Sequence, residues 1–124
     1  MTSGRLRVLL VDDDAKMVEL VRSILADEGF DVVGLTTPID VVGSVAEFDP
    51  HVVVLDEVMP ERDGLDVAEE IREQRPTQPI VIFSSLFDRR LSLETERRGY
   101  VYCEKAGGID QLEEAIRQAV GDAT

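Results

Sequence analysis

Five short apolar runs, separated by amphipathic stretches, most constrain the fold of this 124-residue chain. The runs are rich in Val, Ile and Leu, and several are continuously apolar. That pattern is typical of strands that are covered on both faces of a parallel sheet. We therefore predict strands over residues 6–11, 32–35, 52–55, 80–83 and 101–103.

Apolar residues recur at helical spacing in the stretches between these runs. Asp14 precedes the first stripe as a candidate N-cap, and Pro38 precedes the second as a first-turn residue. The stripes are Met17, Leu20, Val21, Ile24 and Leu25; Ile39, Val42 and Val45; Leu65, Ala68 and Ile71; and Ile109, Leu112, Ile116 and Val120. The apolar residues of segment 86–98 share no helical face, so a weak or irregular helix is predicted there.

Strands that alternate with helices predict an α/β domain with a central parallel sheet. Right-handed crossovers place helices on both faces of such a sheet. The length fits one domain over residues 1–124, with a folded core at about 5–120. Functional sites of open parallel sheets lie beyond the carboxyl ends of the strands, near the switch in strand order.

The charge balance excludes several classes of partner. The chain has 26 acidic and 13 basic residues and a formal net charge of −13. This argues against direct binding of nucleic acid, which requires clustered Lys and Arg, and against an anionic membrane surface. No apolar run is long enough to span a membrane, and the N-terminus does not resemble a signal peptide. Because Cys103 cannot form an internal disulfide, we expect a cytoplasmic protein.

Polar residues follow four of the five predicted strands. They are Asp12, Asp13 and Asp14; Asp56; Ser84 and Ser85; and Glu104 and Lys105. If these strands are neighbours, carboxylates, a hydroxyl and an ammonium group meet at one edge, and such a set suits Mg²⁺. The single histidine and single cysteine argue against zinc. Each residue alone also fits an ordinary solvated strand end, so the prediction depends on the agreement of several ends.

Four segments resemble the receiver domain of two-component response regulators over roughly residues 5–120. They are VLLVDDD at 8–14, VLDEVMPERDG at 54–64, IFSS at 82–85 and YCEK at 102–105. The resemblance implies a flavodoxin-like (βα)5 doubly wound sandwich and a phosphorylation switch that requires Mg²⁺. It implies these roles: Asp56 as phosphoacceptor; Asp12, Asp13, Asp56 and the Val58 backbone carbonyl as metal ligands; Lys105, Ser84 and the Ser85 backbone N–H as phosphoryl contacts; and Ser84 with Tyr102 as the switch pair.

The resemblance also implies partners. The donor is expected to be a sensor histidine kinase or a phosphotransfer protein, and the target a downstream protein or an output domain of the same protein. A homodimer is expected to use the last helix, the last strand and the 86–98 face. The chain is then a signalling switch that catalyses only its own phosphorylation and dephosphorylation, rather than an enzyme.

Three features depart from the family pattern or tune it. Lys105 is followed by Ala106, where the family usually has a proline that is commonly in the cis form. Arginine pairs at 89–90 and 97–98 make segment 86–98 basic, which indicates either Glu–Arg pairs on a solvated helix or a docking patch for an acidic partner. In the family, the positions of Val58 and Leu86 flank the path of the hydrolytic water. Both residues are apolar here, so slow self-dephosphorylation is predicted.

Two other functions remain open alternatives. A Mg²⁺-dependent phosphohydrolase of the haloacid-dehalogenase type requires a second Asp two residues after the nucleophile, where this chain has Val58. A pseudo-receiver, which binds partners without phosphorylation, fits the altered 86–98 region but not the intact set of site residues. His51 is interpreted as a surface residue and Cys103 as a small core residue.

Overall fold

The computed structural model describes residues 5–86 and 88–122. Strands and helices alternate along this part of the chain, and a 3₁₀ turn, Lys105–Gly107, precedes the last helix. The strands are β1 (Arg7–Val11), β2 (Asp31–Leu35), β3 (Val52–Asp56), β4 (Ile80–Ser84) and β5 (Val101–Glu104). The helices are α1 (Ala15–Asp27), α2 (Val41–Phe48), α3 (Gly64–Gln74), α4 (Arg89–Arg97) and α5 (Gly108–Asp122).

All five strands pair in parallel in one sheet, in the order β2-β1-β3-β4-β5. The strand order reverses between β1 and β3, so the carboxyl ends of these two central strands form the switch point where open sheets bind ligands. The predicted strands and the flavodoxin-like fold are therefore confirmed. Asp12 directly follows β1, and Asp56 is the last residue of β3.

Helices cover both faces of the sheet, as the continuous apolar runs predict. One apolar cluster joins alternate residues of β1, such as Val8 and Leu10, to α1 and α5. The second cluster joins Leu9 and Val11 to α2 and α3. Because both faces of the central strands are buried, polar side chains are accommodated only at the ends of these strands.

Helix α1 begins as predicted but buries a slightly different face. The Asp14 carboxylate accepts hydrogen bonds from the backbone N–H groups of Lys16 (3.1 Å) and Met17 (3.3 Å). Leu20, which we expected in the core stripe, is 55% exposed, whereas Val18 is buried. The buried positions are Val18, Val21 and Leu25, so the prediction is right for Val21 and Leu25 and wrong for Leu20.

Helix α2 starts later than the position of Pro38 predicts. Pro38 and Ile39 lie in a turn, Ile39 is 65% exposed, and the helix begins at Val41. Asp40 adopts a left-handed conformation with φ 60°. A residue with this backbone interrupts a right-handed helix, so the helix cannot extend back to Pro38.

Segment 86–98 contains a regular helix, α4, so the prediction of an irregular helix is wrong. The Asp88 carboxylate caps it by accepting from the N–H groups of Arg90 (2.9 Å) and Leu91 (3.3 Å). Glu94 pairs with Arg97 at 2.7 Å and with Arg98 at 2.6 Å, which confirms the predicted Glu–Arg pairs. A cap and ion pairs stabilise this helix where an apolar stripe is missing. Phe87 lies outside the described residues.

His51 is partly buried, and its Nδ1 accepts from the backbone N–H of Arg7 at 2.8 Å, so it is not the plain surface residue that we expected. Cys103 is buried, as predicted. The described residues contain no cis peptide bond, and Lys105 is followed by Ala106 rather than by a proline.

None of the described helices combines the length and apolar character needed to cross a membrane.

Candidate functional site

Three carboxylates meet at the carboxyl edge of the sheet. Oxygens of Asp12, Asp13 and Asp56 all lie within 4.8 Å of one another. Asp12 is 2% and Asp56 6% exposed, whereas Asp13 faces solvent. The register pairs β1 with β3 directly, which is why residues 44 positions apart in the chain end at the same point. Buried like charges at this separation repel one another and require a counter-charge.

Lys105 supplies part of that counter-charge. Its Nζ lies 2.7 Å from Asp12 Oδ2 and 3.3 Å from Asp56 Oδ1. The ammonium group also lies 5.7 Å from the centre of the Phe83 ring, within the range of a cation–π contact. The Lys105 side chain is only 15% exposed, so these contacts are poorly screened by water.

Burial and charge shift the pKa values of this pair in a consistent way. Burial raises the pKa of the Asp56 carboxyl, the charge of Asp12 raises it further, and Lys105 opposes both effects. Burial alone would lower the pKa of Lys105, yet its hydrogen bond to Asp12 and the charges of both carboxylates raise it. The raised pKa of Lys105 favours its cationic form, and the raised pKa of Asp56 makes it a more basic carboxylate than an exposed aspartate.

Backbone groups orient the two buried carboxylates. Asp12 Oδ1 accepts from the N–H of Asp14 at 3.0 Å. An interaction with the backbone N–H of Val58 lowers the pKa of the Asp56 carboxyl, against the effect of burial. The Val58 side chain is 55% exposed.

Ser84 and Tyr102 both contact Leu86 rather than the carboxylates. Ser84 is fully buried at the end of β4, and its Oγ accepts from the N–H of Leu86 at 3.1 Å. The Tyr102 hydroxyl donates to the carbonyl oxygen of Leu86. Burial raises the pKa of the Tyr102 hydroxyl, which also interacts with the Ser84 hydroxyl. Ser85 is exposed in the bend that follows. The predicted switch residues Ser84 and Tyr102 therefore both form hydrogen bonds with the backbone of Leu86.

Glu57 is a residue that sequence reasoning missed. Its Oε1 accepts from the backbone N–H of Leu65 at 3.0 Å, and its backbone carbonyl accepts from the N–H of Gly64 at 2.9 Å. Burial raises the pKa of this carboxyl. The contact crosses a loop between residues eight positions apart, and no sequence spacing rule predicts such a pair.

The donor set fits a hard divalent cation. Three carboxylates offer oxygen ligands at one point, one of them open to solvent, and Mg²⁺ typically binds one or two carboxylates together with water and phosphate oxygens. Among the described residues, no other group of carboxylates, histidines or cysteines offers such a set of ligand atoms. The cluster therefore matches the composition expected of a magnesium site.

Comparison with known proteins gives a consistent result. The family model for the response regulator receiver domain matches residues 8–117. The chain is similar to the chemotaxis protein CheY of Thermotoga maritima, with 32% identity over 94 residues, which cover 75% of this chain and 78% of CheY. It is also 34% identical over 88 residues to the DNA-binding response regulator MtrA of Mycobacterium tuberculosis, covering 71% of this chain and 38% of MtrA.

A solved structure supports the same relationship. The response regulator protein TrrA of Thermotoga maritima, crystallised in complex with Mg²⁺–BeF, has a TM-score of 0.81 and 26% identity, and the match covers 92% of this chain and 98% of TrrA. The fold, the arrangement of the site and these similarities agree over most of the sequence. The chain belongs to the response regulator receiver domain family.

Proposed function

We propose that this chain is the phosphoaccepting receiver of a two-component phosphorelay, with Asp56 as the acceptor. The observation that carries the proposal is the position of Lys105. Its ammonium group forms salt bridges with Asp12 and Asp56, two members of a cluster of three carboxylates. We propose Asp12, Asp13, Asp56 and the backbone carbonyl of Val58 as the ligands of Mg²⁺. The Mg²⁺–BeF complex of the similar protein TrrA supports this assignment.

The chemistry follows from the surroundings of Asp56. A carboxylate oxygen of Asp56 attacks the phosphorus of a phosphohistidine, and the new O–P bond forms as the N–P bond breaks. The imidazole leaves with the electron pair of that bond and takes up a proton. Lys105 stabilises the negative charge on the phosphoryl oxygens, together with the hydroxyl of Ser84 and the backbone N–H of Ser85. Bound Mg²⁺ supplies further neutralisation of this charge.

The switch follows from the two contacts to Leu86. When the Ser84 hydroxyl turns towards a phosphoryl group, it loses the hydrogen bond that it accepts from the N–H of Leu86. Of these two hydrogen bonds to Leu86, only the one from Tyr102 to its carbonyl oxygen then remains. The β4–α4 loop then rearranges, and Tyr102 fills the vacated space. A local change of charge thereby biases an element with two states.

The partners follow from this mechanism and remain part of the proposal. A sensor histidine kinase or phosphotransfer protein donates the phosphoryl group, and a downstream protein or an attached output domain receives the signal. Homodimerisation uses α5, β5 and the 86–98 face. We propose a single receiver domain over residues 1–124, a cytoplasmic location, and no direct contact with nucleic acid or membrane.

The test is incubation with acetyl phosphate and Mg²⁺, followed by intact mass measurement of the wild type and of the Asp56→Asn variant. One added phosphoryl group on the wild type, absent from the variant, is the expected result. Lys105→Ala should take up the group much more slowly. No added mass in the wild type, despite measurable Mg²⁺ binding, would overturn the proposal in favour of a pseudo-receiver.

A further inference from the structure

We propose that Glu57 is a positioning residue for the cation site. Its carboxylate caps helix α3 and thereby fixes the loop that carries Val58, beside Asp56. This inference depends on the proposed function, because it concerns the same site. Glu57 acts through the backbone and does not itself contact the cation or the phosphoryl group.

The first observation concerns the start of α3. Asp63 occupies the N-cap position in an extended conformation, but its side chain makes no capping hydrogen bond. Glu57 replaces it, because its Oε1 accepts from the N–H of Leu65 at 3.0 Å and its backbone oxygen accepts from the N–H of Gly64 at 2.9 Å. One residue outside the helix therefore satisfies two of the N–H groups that a helix start leaves unpaired.

The second observation concerns the other end of the same loop. Val58 lies two residues after Asp56, and an interaction with its backbone N–H lowers the pKa of the Asp56 carboxyl. A Cβ atom on Gly64 would lie 2.5 Å from the carbonyl oxygen of Asp56 and 3.1 Å from the Cα of Glu57, so the first turn of α3 rests directly on the backbone of the acceptor. The contacts of Glu57 with Gly64 and Leu65 thus join the two ends of loop 57–63, and Val58 lies between these ends in the sequence.

The third observation concerns burial. The Glu57 side chain is half-buried, whereas a capping carboxylate at the surface, such as that of Asp88 on α4, is exposed. A half-buried carboxylate with one main-chain partner has few alternative positions, so its bond to Leu65 restrains the loop more than a surface cap does. Residues that orient metal ligands without binding the metal commonly change metal affinity about 10-fold or more when removed.

Three variants separate positioning from ordinary stabilisation. Glu57→Ala removes the cap, and Glu57→Gln keeps an acceptor oxygen at the same place. Asp88→Ala removes the cap of α4, a carboxylate that does not belong to the cluster of Asp12, Asp13 and Asp56. Mg²⁺ affinity is measured without any phosphodonor, from amide chemical shifts during titration with MgCl₂. Hydrogen exchange of the Leu65 amide is measured on the same samples.

We expect Glu57→Ala to bind Mg²⁺ about 10-fold more weakly and to exchange the Leu65 amide faster. The rate of phosphorylation by acetyl phosphate should recover at saturating Mg²⁺. Glu57→Gln should restore most of the affinity, and Asp88→Ala should bind Mg²⁺ like the wild type.

Suppose that the wild type binds Mg²⁺ and is phosphorylated. Unchanged Mg²⁺ affinity in Glu57→Ala would then overturn the positioning role of Glu57 but not the proposed function. An equal loss of affinity in Asp88→Ala would reduce the effect to general destabilisation and also overturn it. A wild type that takes neither Mg²⁺ nor a phosphoryl group would overturn the proposed function together with this role.

Discussion

Gly64 lies so close to Asp56 that a Cβ atom on it would stand 2.5 Å from the carbonyl oxygen of Asp56. The atom in the way belongs to the backbone, so rotation of a side chain cannot relieve the contact. The main chain of Asp56 and the first turn of α3 are therefore packed against each other. Anything that displaces one of them displaces the other.

Gly64→Ala should accordingly lower the free energy of unfolding by about 1–3 kcal/mol, the usual cost of overpacking. It should also weaken Mg²⁺ binding. Urea denaturation followed by far-UV circular dichroism measures the first effect. Gly121→Ala is the matched control, because a Cβ there meets nothing within 4 Å and alanine favours helix. Equal stability of Gly64→Ala and Gly121→Ala would contradict the close packing.

Asp56→Asn should raise the free energy of unfolding near neutral pH by about 1 kcal/mol. Burial raises the pKa of Asp56 in the folded protein. The penalty for ionising it is therefore complete above the folded pKa and vanishes as the pH falls below the unfolded value, about 4. The gain in the free energy of unfolding of Asp56→Asn should therefore shrink as the pH falls from the folded to the unfolded pKa. Urea denaturation at several pH values measures this.

Asp49→Asn provides a control of opposite sign. Its hydrogen bond and charge interaction with Arg75 lower the pKa of Asp49. The stabilisation is therefore present above the unfolded pKa and is lost as the pH falls through the folded one. Asp49→Asn should destabilise the protein at neutral pH. A gain in both variants would contradict the assignment of the shifts to these two environments.

Mg²⁺ should raise the thermal midpoint of the wild type, because a ligand that binds only the folded state stabilises it. The carboxylates of Asp12, Asp13 and Asp56 converge only in that state. Asp13→Asn should reduce the shift strongly while leaving the midpoint without Mg²⁺ nearly unchanged, because Asp13 is exposed. Differential scanning fluorimetry with MgCl₂, and with EDTA as the reference, tests this. An undiminished shift in Asp13→Asn would exclude Asp13 as a ligand.

Val58→Asn should shorten the lifetime of the phosphorylated protein by roughly 10-fold or more, less than a full general acid or base achieves, because an amide only orients the water. An amide at this position can orient the hydrolytic water, which the apolar Val58 cannot. Decay is followed by intact mass after removal of acetyl phosphate. Leu93→Asn is the control, because Leu93 is also 55% exposed but lies on α4. A wild-type half-life of seconds would contradict the prediction of slow decay.

Cys103 should resist alkylation in the folded protein. Burial raises the pKa of its thiol to about 11, so the thiolate is scarce at neutral pH. Iodoacetamide should modify the native protein roughly a hundredfold more slowly than the urea-unfolded protein, where the thiol has its ordinary pKa near 8.5. Mass spectrometry at intervals measures both rates. Similar rates would show that the residue is more accessible than its position in β5 indicates.

The sequence predicts the sheet and the carboxylate cluster for one physical reason. Continuous apolar runs identify strands that are buried on both faces, and polar residues can then appear only at their ends. This pattern alone places Asp12, Asp56 and Lys105 at strand ends on one edge of the sheet. The roles of these residues follow from the resemblance to a family.

Features that depend on backbone geometry or on contacts across loops could not be predicted in this way. The left-handed conformation of Asp40 moves the start of α2, although Pro38 is a good first-turn residue. The regular helix α4 depends on the cap by Asp88 as well as on the Glu–Arg pairs that the sequence indicates, and an analysis of apolar stripes does not detect that cap. The contact between Glu57 and Leu65 has no local sequence pattern.

Helix α4 buries only Thr95 completely among its described residues, and the hydroxyl of Thr95 donates to the carbonyl oxygen of Leu91 within the same helix. Its outer positions therefore contribute little to the core. Over evolutionary time, the exposed side chains of this helix can change without loss of the folded state. The carboxylate cluster, whose residues Asp12 and Asp56 lie at the ends of two buried central strands, has no such freedom. The surface of α4 can thus diversify in sequence while the cluster stays constant.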